Sequence, residues 1–381
     1  MNRPDGTATR WPDAFLDQQR RIGDPEADET IAALHAGGET GTVFRLLQTI
    51  VRNETPPPEE LPDSVHRYFD AARDLPDWAD RELILRGQHV FQRWGMQIGL
   101  LLFHKAMAEG YLAARFARVL GRTGALAHDP RRRLLETGQL VFDAMAPGGL
   151  GIGGKGIATA LRVRLLHAAI RHTILAQAER EPATWTEADG APISQEDMAF
   201  TLLGFSLVTL DGLAQLGARI SREDPEAYIH CWRVVGHFVG IDEAMNPATL
   251  SEARELLNAQ RRRQYSITEQ GLGLEHAMLA MLTEMSPGPM RHFPTQMVRY
   301  LIGREYAAQL QVPRAPLTAR LGFGAYIRAN RAALWFVSVT RIANVSEPFN
   351  RAILHRMIGS GRGGERAPFT VDPALRQKWR L

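Results

Sequence analysis

The chain has 381 residues, of which 45% are hydrophobic and 23% charged, a composition typical of a globular protein with one large domain or two small ones. Its 45 Lys and Arg and 42 Asp and Glu residues are interspersed and leave a net charge of +3, so no basic stripe favours nucleic acid as a partner. Cys231 is the single cysteine, which excludes an intrachain disulfide and a cysteine-based zinc or iron–sulfur site.

The N-terminal segment is polar, and we expect residues 1–23 to be a flexible segment without a secretory signal. No apolar run is long enough to cross a bilayer. These features predict a cytoplasmic protein with no transmembrane segment.

Apolar residues at helical spacing recur along most of the remaining chain. They predict helices over residues 24–36, 42–52, 65–72, 80–94, 99–120, 130–146, a segment ending near 179, 198–216, a segment opening at 221, 251–264, 271–285, 290–302 and 324–342. Asp80 is expected to cap the helix over 80–94, and Ser194 to Asp197, after a Pro-containing loop, are expected to form a capping box before the helix over 198–216. No sustained alternation of apolar and polar residues indicates a strand. The sequence therefore predicts an all-α protein with a single large helical domain.

Two helices flank the glycine-rich stretch at residues 148–156. The first is predicted to start at Pro130 and places Arg133 and Thr137 on one face. The glycines fit a dinucleotide-binding fingerprint and nearly fit a phosphate-binding loop, but both motifs require a preceding strand, and here a helix precedes them. We interpret the glycines as a flexible link.

The second helix carries Arg164, His167 and Arg171 on one face, among apolar residues. An imidazole between two guanidiniums suits a site that holds a metal at the imidazole and an anionic group beside it. The alternative from the residues alone is a histidine that is hydrogen-bonded in the core.

Several blocks of this sequence, in the right order, resemble the MpaB/latex-clearing-protein family of rubber oxygenase catalytic domains. The strongest are RRRLLETGQLVFDAMAPGGL, RVRLLHAAIR, SQEDMAFTLLGFSLVTLDGL and YIHCWRVVGHFVGI. The resemblance assigns a catalytic domain to residues 24–312 and leaves residues 313–381 as a C-terminal helical extension with a basic tail. It implies a globin-like helical core that binds haem b.

The resemblance also implies an oxidoreductase, a haem-dependent dioxygenase that uses O2 to cleave a carbon–carbon double bond in an isoprenoid chain. The proximal iron ligand of the family is a His three residues after an Arg, which corresponds to His167 after Arg164. An Arg and a Thr on the haem-side helix correspond to Arg133 and Thr137, which lies thirty residues before His167. A further Thr near the haem corresponds to Thr201.

One position departs from the family pattern. The latex-clearing enzymes have a Lys just before the conserved Thr, where it can occupy the distal side of the iron, and this chain has Glu136. A carboxylate does not replace an ammonium, so the substitution argues against rubber itself as substrate. Glu136 is a candidate catalytic residue that either removes an allylic proton or hydrogen-bonds oxygen. The alternative is a local ion pair with Arg132 or Arg133.

The expected cofactor is haem b, held through the iron by His167. Arg164 and Arg171 lie one turn on either side of this ligand, where each guanidinium is expected to pair with a haem propionate. The alternative for Arg171 is a surface ion pair.

Three functions are compatible with the sequence. The first is a haem-dependent oxygenase acting with O2 on an apolar, unsaturated, isoprenoid-like chain. The second is a haem- or lipid-binding helical protein without turnover. The third is a helical protein of structural or interaction type that binds no haem.

Overall fold

The structure, a computed structural model, describes residues 9–38, 50, 52–72, 74–123 and 130–339, without the side chains of residues 123, 130–137 and 337–339. Most of these residues are helical, and among them the one β-type contact is an antiparallel bridge between Ala113 and Tyr265. The all-α prediction is confirmed. The helices predicted over 42–52 and beyond 339, and the basic tail, fall wholly or largely outside the described residues.

The described helices follow one another from the N-terminus. They are α1 (Asp13–Gln19), α2 (Pro25–Ala36), α3 (Asp63–Ala71), α4 (Arg81–Leu101), α5 (Met107–Leu112), α6 (Ala114–Thr123), α7 (Pro130–Met145), α8 (Gly156–Arg180), α9 (Gln195–Phe205), α10 (Leu207–Leu216), α11 (Asp224–Phe238), α12 (Leu250–Gln264), α13 (Glu269–Glu284), α14 (Phe293–Gln309) and α15 (Leu317–Val339). A π-helical turn, Leu102–Ala106, joins α4 to α5.

The packing of the helices places α7 and α8 side by side. Helix α8 also packs against α2 and α11, while α4 runs along α11 through the main apolar core. Helix α13 packs against α5 and α6 in a second apolar cluster and also contacts α7. Helices α7 and α8 are thus enclosed by elements from both halves of the chain.

The N-terminal segment is more ordered than the sequence suggested. Trp11 and Leu16 are fully buried, and the Trp11 indole Nε1 donates to the Ala244 carbonyl at 2.9 Å. Arg263 binds the Asp17 carboxylate at 2.5 Å. Residues 9–23 therefore belong to the folded domain, because two large apolar side chains hold this otherwise polar segment against the core.

The apolar region predicted as separate helices over 80–94 and 99–120 is divided differently. Asp80 caps α4 as predicted, accepting from the backbone N–H of Glu82 at 2.8 Å. The chain then stays helical through the π turn and breaks at Ala113, where ψ is 107°. The break occurs because Ala113 forms the bridge to Tyr265, a partner 152 residues away that no local pattern reveals.

The capping box predicted after the Pro-containing loop is confirmed. The Ser194 hydroxyl accepts from the Asp197 N–H at 3.2 Å, and the Asp197 carboxylate accepts from the Ser194 N–H at 3.1 Å. The single helix predicted over 198–216 is instead bent at Ser206, whose hydroxyl donates to the Leu202 carbonyl at 2.8 Å. Such back-bonding commonly bends helices.

The stretch Gln195–Leu216 is also long and apolar enough to cross a bilayer, by length and composition alone. About two thirds of its most apolar window, 67%, is buried inside the fold. That burial is what a core helix shows.

The glycine-rich connection between α7 and α8 is not the flexible link that the sequence suggested. The side-chain Nδ2 of Asn53 donates to the carbonyls of Gly149 and Gly151 at 2.9 and 2.7 Å. Its Oδ1 accepts from the N–H groups of Ile157 and Ala158 at 3.0 and 3.2 Å, which caps the start of α8. One amide therefore fixes both the connection and the first turn of α8. A helix precedes the connection, as predicted.

We expect Asn53→Ala to lower the free energy of unfolding by ~2–3 kcal/mol, because four half-buried hydrogen bonds lose their partner. Chemical denaturation measures the change. Asn258→Ala, on the exposed face of α12, is the matched control and should change stability by less than ~0.5 kcal/mol. Equal effects of the two substitutions would show that Asn53 does not hold the connection.

Candidate functional site

The candidate site lies along α8, where His167 is half-buried with Arg164 one turn before it and Arg171 one turn after it. Helical spacing explains this arrangement, since residues three and four apart share a face. The structure therefore brings these three predicted residues together.

Arg164 binds two carboxylates of the α2 region. Its Nε and Nη2 lie 2.5 and 2.8 Å from the two oxygens of Asp24, and Nη2 is also 2.8 Å from Glu26. The guanidinium stands over the ring of Tyr68 at 5.4 Å from its centroid. Burial opposes the charge, yet the hydrogen bonds to Asp24 and the charges of its neighbours raise the pKa of Arg164 above its ordinary value.

Arg171 is also tied to α2. Its Nε donates to the Asp28 carboxylate at 2.8 Å, and Nη1 donates to the carbonyls of Pro192 and Ile193 at 3.2 and 2.7 Å. The arginine is only 2% exposed, whereas the Asp28 side chain is 35% exposed, so the ion pair considered as an alternative from the sequence is present and is partly buried. Its Nη2 is buried and has no hydrogen-bond partner among the described residues.

These contacts change the interpretation of both arginines. The sequence suggested a haem propionate as the anionic partner of Arg164 and Arg171, whereas each guanidinium already holds a carboxylate supplied by the chain itself. A buried, bidentate pair fixes geometry more strongly than it adds stability. In the structure, the ion pairs of the two arginines therefore hold α8 against α2, and His167 lies between the two arginines along the helix.

The facing helix α7 carries the other predicted catalytic residues, Arg133, Glu136 and Thr137. Their backbone is helical, and their side chains lie outside the described part of the structure. By register they share a face with Leu140, which is 8% exposed and packs in the main core. One residue after Thr137, a Cβ on Gly138 would meet no atom within 4 Å, so space is open beside α7 at this level.

Thr201 lies on a different helix, α9, which packs chiefly against α10, α11 and α12 and the π turn. Its hydroxyl donates to the Asp197 carbonyl within its own helix at 2.9 Å. Its predicted place near the cofactor stays a prediction.

Glu275 is a buried carboxyl that we did not predict. It is 1% exposed on α13, its Oε1 has no hydrogen-bond partner among the described residues, and burial raises its pKa to about 8. The acid is therefore mainly protonated at neutral pH. The sequence signal is a lone Glu on the apolar face that also carries Leu274 and Met278. Because α13 packs against α7, Glu275 places a neutral acid on a helix next to the candidate site.

Glu109, another buried carboxyl, has the opposite environment. It accepts from Arg261 Nη2 at 2.5 Å and from the Tyr265 hydroxyl at 2.8 Å, and lies 3.2 Å from Lys105 Nζ. Burial opposes ionisation, but Arg261 and Lys105 hold the pKa of Glu109 below its ordinary value. In this network the Glu109 carboxylate has charged partners and is ionised, whereas the Glu275 carboxyl has none among the described residues and is protonated.

His104 is a second buried imidazole and lies on the π turn. Its Nδ1 is 2.8 Å from the Leu100 carbonyl and must carry the proton, since that oxygen only accepts. Burial lowers the pKa of His104 to about 4, so the ring is neutral. The π turn packs against α9, α10 and α14, whereas His167 lies on the helix that packs against α7.

The described residues contain no group of three or more His, Cys, Asp or Glu side chains able to hold a metal ion. A metal bound through His167 therefore needs most of its ligands from a prosthetic group. Haem meets this requirement, because one protein imidazole suffices for it. The half-buried imidazole of His167, held on α8 next to α7, is compatible with such a group.

Comparison with known sequences gives a match over well over half of the chain. The sequence profile of the catalytic domain described as "ER-bound oxygenase mpaB/B'/Rubber oxygenase" matches residues 90–332. A rubber oxygenase from Streptomyces sp. (strain K30) is 28% identical over 312 residues, which are 79% of this chain and 73% of that protein.

Comparison with solved structures agrees. The chain is similar to latex clearing protein in its closed state, with a TM-score of 0.74 and 25% identity, over 89% of this chain and 91% of the other. The helical architecture is therefore shared along nearly the whole of both chains.

The pKa of Glu275 makes stability depend on pH. Between the ordinary value of 4.5 and about 8, the folded protein keeps a proton that the unfolded chain has released. Each pH unit in this window should therefore lower the free energy of unfolding by about 1.4 kcal/mol. We expect Glu275→Gln to remove this slope, as measured by denaturation at a series of pH values. Glu284→Gln, at an exposed position of α13, should leave it in place. Parallel profiles for wild type and Glu275→Gln would contradict the assignment.

Proposed function

Because the chain belongs to the family of mpaB-type and rubber oxygenase catalytic domains, we propose that it is a haem b-dependent dioxygenase of an apolar, unsaturated chain. Membership confirms the resemblance seen in the sequence, and an oxygenase is the activity of the family. The observation that carries the haem proposal is His167, half-buried on the helix beside α7 and three residues after Arg164.

His167 would hold the haem iron through its imidazole. Haem bound by one imidazole supplies the redox centre at which O2 is activated. The protein's contribution is to fix the ligand, and the ion pairs of Arg164 with Asp24 and of Arg171 with Asp28 do this from both sides. We infer that both arginines are positioning residues, which orient α8 by holding it to α2.

The reaction that we propose inserts both atoms of O2 into the substrate. The carbon–carbon double bond is cleaved, and its two carbons become an aldehyde and a ketone. No external reductant is needed, because the four electrons that reduce O2 come from the double bond. The substrate is an isoprenoid-like or other unsaturated apolar chain.

Glu136 is the residue that distinguishes this chain from the latex-clearing enzymes. We propose that its carboxyl group takes or returns a proton at the allylic position of the substrate, a task suited to a carboxylate beside an apolar site. Arg133, one turn before it, and Thr137, next to it, are then the residues that set its charge and its hydrogen bonding. Because a Glu stands in place of Lys, we propose a substrate other than rubber.

We expect purified protein supplied with haem to show a Soret band that His167→Ala abolishes or greatly reduces. His104→Gln is the matched control, because His104 is a buried imidazole on a different element, the π turn, in contact with the Phe293 ring. This variant should keep the band. A colourless wild-type protein after haem supplementation would contradict the proposal, as would a band lost in His104→Gln and kept in His167→Ala.

We expect Glu136→Gln to keep the Soret band and to lower O2-dependent product formation by about 10²-fold or more, because the amide cannot accept the proton. Glu136→Asp keeps the carboxylate and should retain more activity than the Gln variant. Product formation on an unsaturated isoprenoid chain is the measurement. Full activity of Glu136→Gln would show that Glu136 is only an ion-pair partner.

A further inference from the structure

The last two described helices carry a strong excess of positive charge. Residues 288–339 contain seven arginines and one acidic residue, Glu305, a net charge of +6, while the whole chain has only +3. The remainder of the chain is therefore net negative. The arginines are Arg291, Arg299, Arg304, Arg314, Arg320, Arg328 and Arg331.

Four of these arginines, which we call the arginine cluster, lie on α14, on the segment after it or at the start of α15, and they are Arg299, Arg304, Arg314 and Arg320. Partial burial, and then the positive charges of Arg314, Arg320 and Arg304, lower the pKa of Arg299. Arg299 donates to the Val312 carbonyl at 2.8 Å, and none of the four forms an ion pair with a carboxylate of the described residues. The positive electrostatic potential of this cluster therefore acts on molecules that approach this part of the protein surface.

Helix α15 exposes large apolar side chains in a line. Leu317 is 64% exposed, Leu321 65% and Trp335 45%. At 100° per residue they fall within about 40° of one another, and Arg328 lies in the same stripe. The buried Ile327 lies about 100° around the helix from these residues, and α15 packs against α10 and α14. We call Leu317, Leu321, Arg328 and Trp335 the α15 stripe.

A cavity of about 570 Å³ lies beside the first turns of α15, on the side of the helix away from the stripe. It lies between the 3₁₀ turn before α14 and the first turns of α15, and its walls are mainly apolar or aromatic, including Met290, Phe293, Phe323 and Tyr326. Its volume is in the range of pockets that hold one small apolar molecule. Met290, on its rim, is 45% exposed.

A surface that combines arginines with exposed Leu and Trp matches the chemistry of an anionic bilayer. The guanidiniums attract phosphate and carboxylate headgroups, while Leu and Trp enter the boundary between headgroups and acyl chains. Nucleic acid would satisfy the arginines but gives no reason for a line of exposed leucines. We propose that the face formed by the α15 stripe and the arginine cluster docks on the surface of an anionic phospholipid bilayer.

The proposal goes beyond the oxygenase function and does not rest on it, since docking requires neither haem nor turnover. The test can therefore be made on the full chain before any substrate is known.

The test is co-sedimentation of the full chain with phosphatidylcholine vesicles that contain no anionic lipid or about a third phosphatidylglycerol. We expect the affinity for the anionic vesicles to be at least about tenfold higher than for the neutral vesicles, and to fall as salt is added.

Two double variants test the surface itself. The affinity for anionic vesicles should fall about tenfold or more in Leu317→Ser/Leu321→Ser, and equally in Arg320→Glu/Arg328→Glu. The matched controls are Leu85→Ser/Leu175→Ser and Arg81→Glu/Arg222→Glu, which alter exposed residues elsewhere and should bind like wild type. Thermal melting verifies that every variant is folded.

A second measurement, tryptophan fluorescence, tests whether Trp335 enters the bilayer. Vesicle binding should blue-shift the fluorescence, and Trp335→Phe should remove part of that shift while the affinity falls only slightly. Equal affinity for neutral and anionic vesicles, or stripe variants that bind like wild type, would overturn the proposal. Binding to a single-stranded oligonucleotide without binding to vesicles would overturn it too and would assign the arginines to nucleic acid.

Discussion

The buried ion pairs between α2 and α8 are the constraint on which the candidate site depends. Arg164 holds Asp24 through two hydrogen bonds, and Arg171 holds Asp28 one helical turn beyond His167. Removing Asp24 from its buried pair leaves a charge without compensation, at a cost of ~3–5 kcal/mol, whereas solvent screens the pair of Arg171 with the partly exposed Asp28. These two ion pairs restrict the rotation of α8 against α2, and they therefore fix the position of the half-buried imidazole between them. Rigid support of this kind is what a cofactor ligand requires.

The same principle separates the buried carboxyls into two kinds. Glu109 has Lys105 and Arg261 as charged partners and remains ionised, whereas Glu275 has no described partner and stays protonated. The first carboxylate stabilises the junction of α5 and α12 near the break at Ala113. The second keeps a proton on the helix that packs against α7, where proton transfer is proposed. Environment, and not residue type, decides which of these carboxyls is ionised and which is protonated.

Much of the helical architecture follows from local sequence, because apolar periodicity and caps act within a few residues. The N-cap at Asp80 and the capping box at Ser194 were both predicted and are present. The alignment of Arg164, His167 and Arg171 on one face also follows from helical spacing alone.

Apart from the local bond at the Ser206 bend, the contacts that were missed join distant parts of the chain. The carboxylates that hold the two arginines precede α8 by more than a hundred residues, and Asn53 fixes a glycine connection that looked flexible in isolation. The break at Ala113 depends on Tyr265. The solitary position of Glu275 became visible only once its neighbours were known to be apolar. The sequence pattern predicts which residues share a face of a helix, whereas tertiary packing determines which residues of other elements contact that face.

The central claim, that this family member inserts both atoms of O2 across a carbon–carbon double bond, is tested most directly by isotope labelling. Haem-loaded protein is incubated under ¹⁸O2 with an unsaturated isoprenoid chain, and the cleaved ends are trapped at once as reduced or derivatised carbonyls for mass spectrometry. The account predicts one ¹⁸O atom in the aldehyde end and one in the ketone end. Cleavage with oxygen taken from water, or a haem-bound protein that neither consumes O2 nor cleaves such a chain, would contradict it.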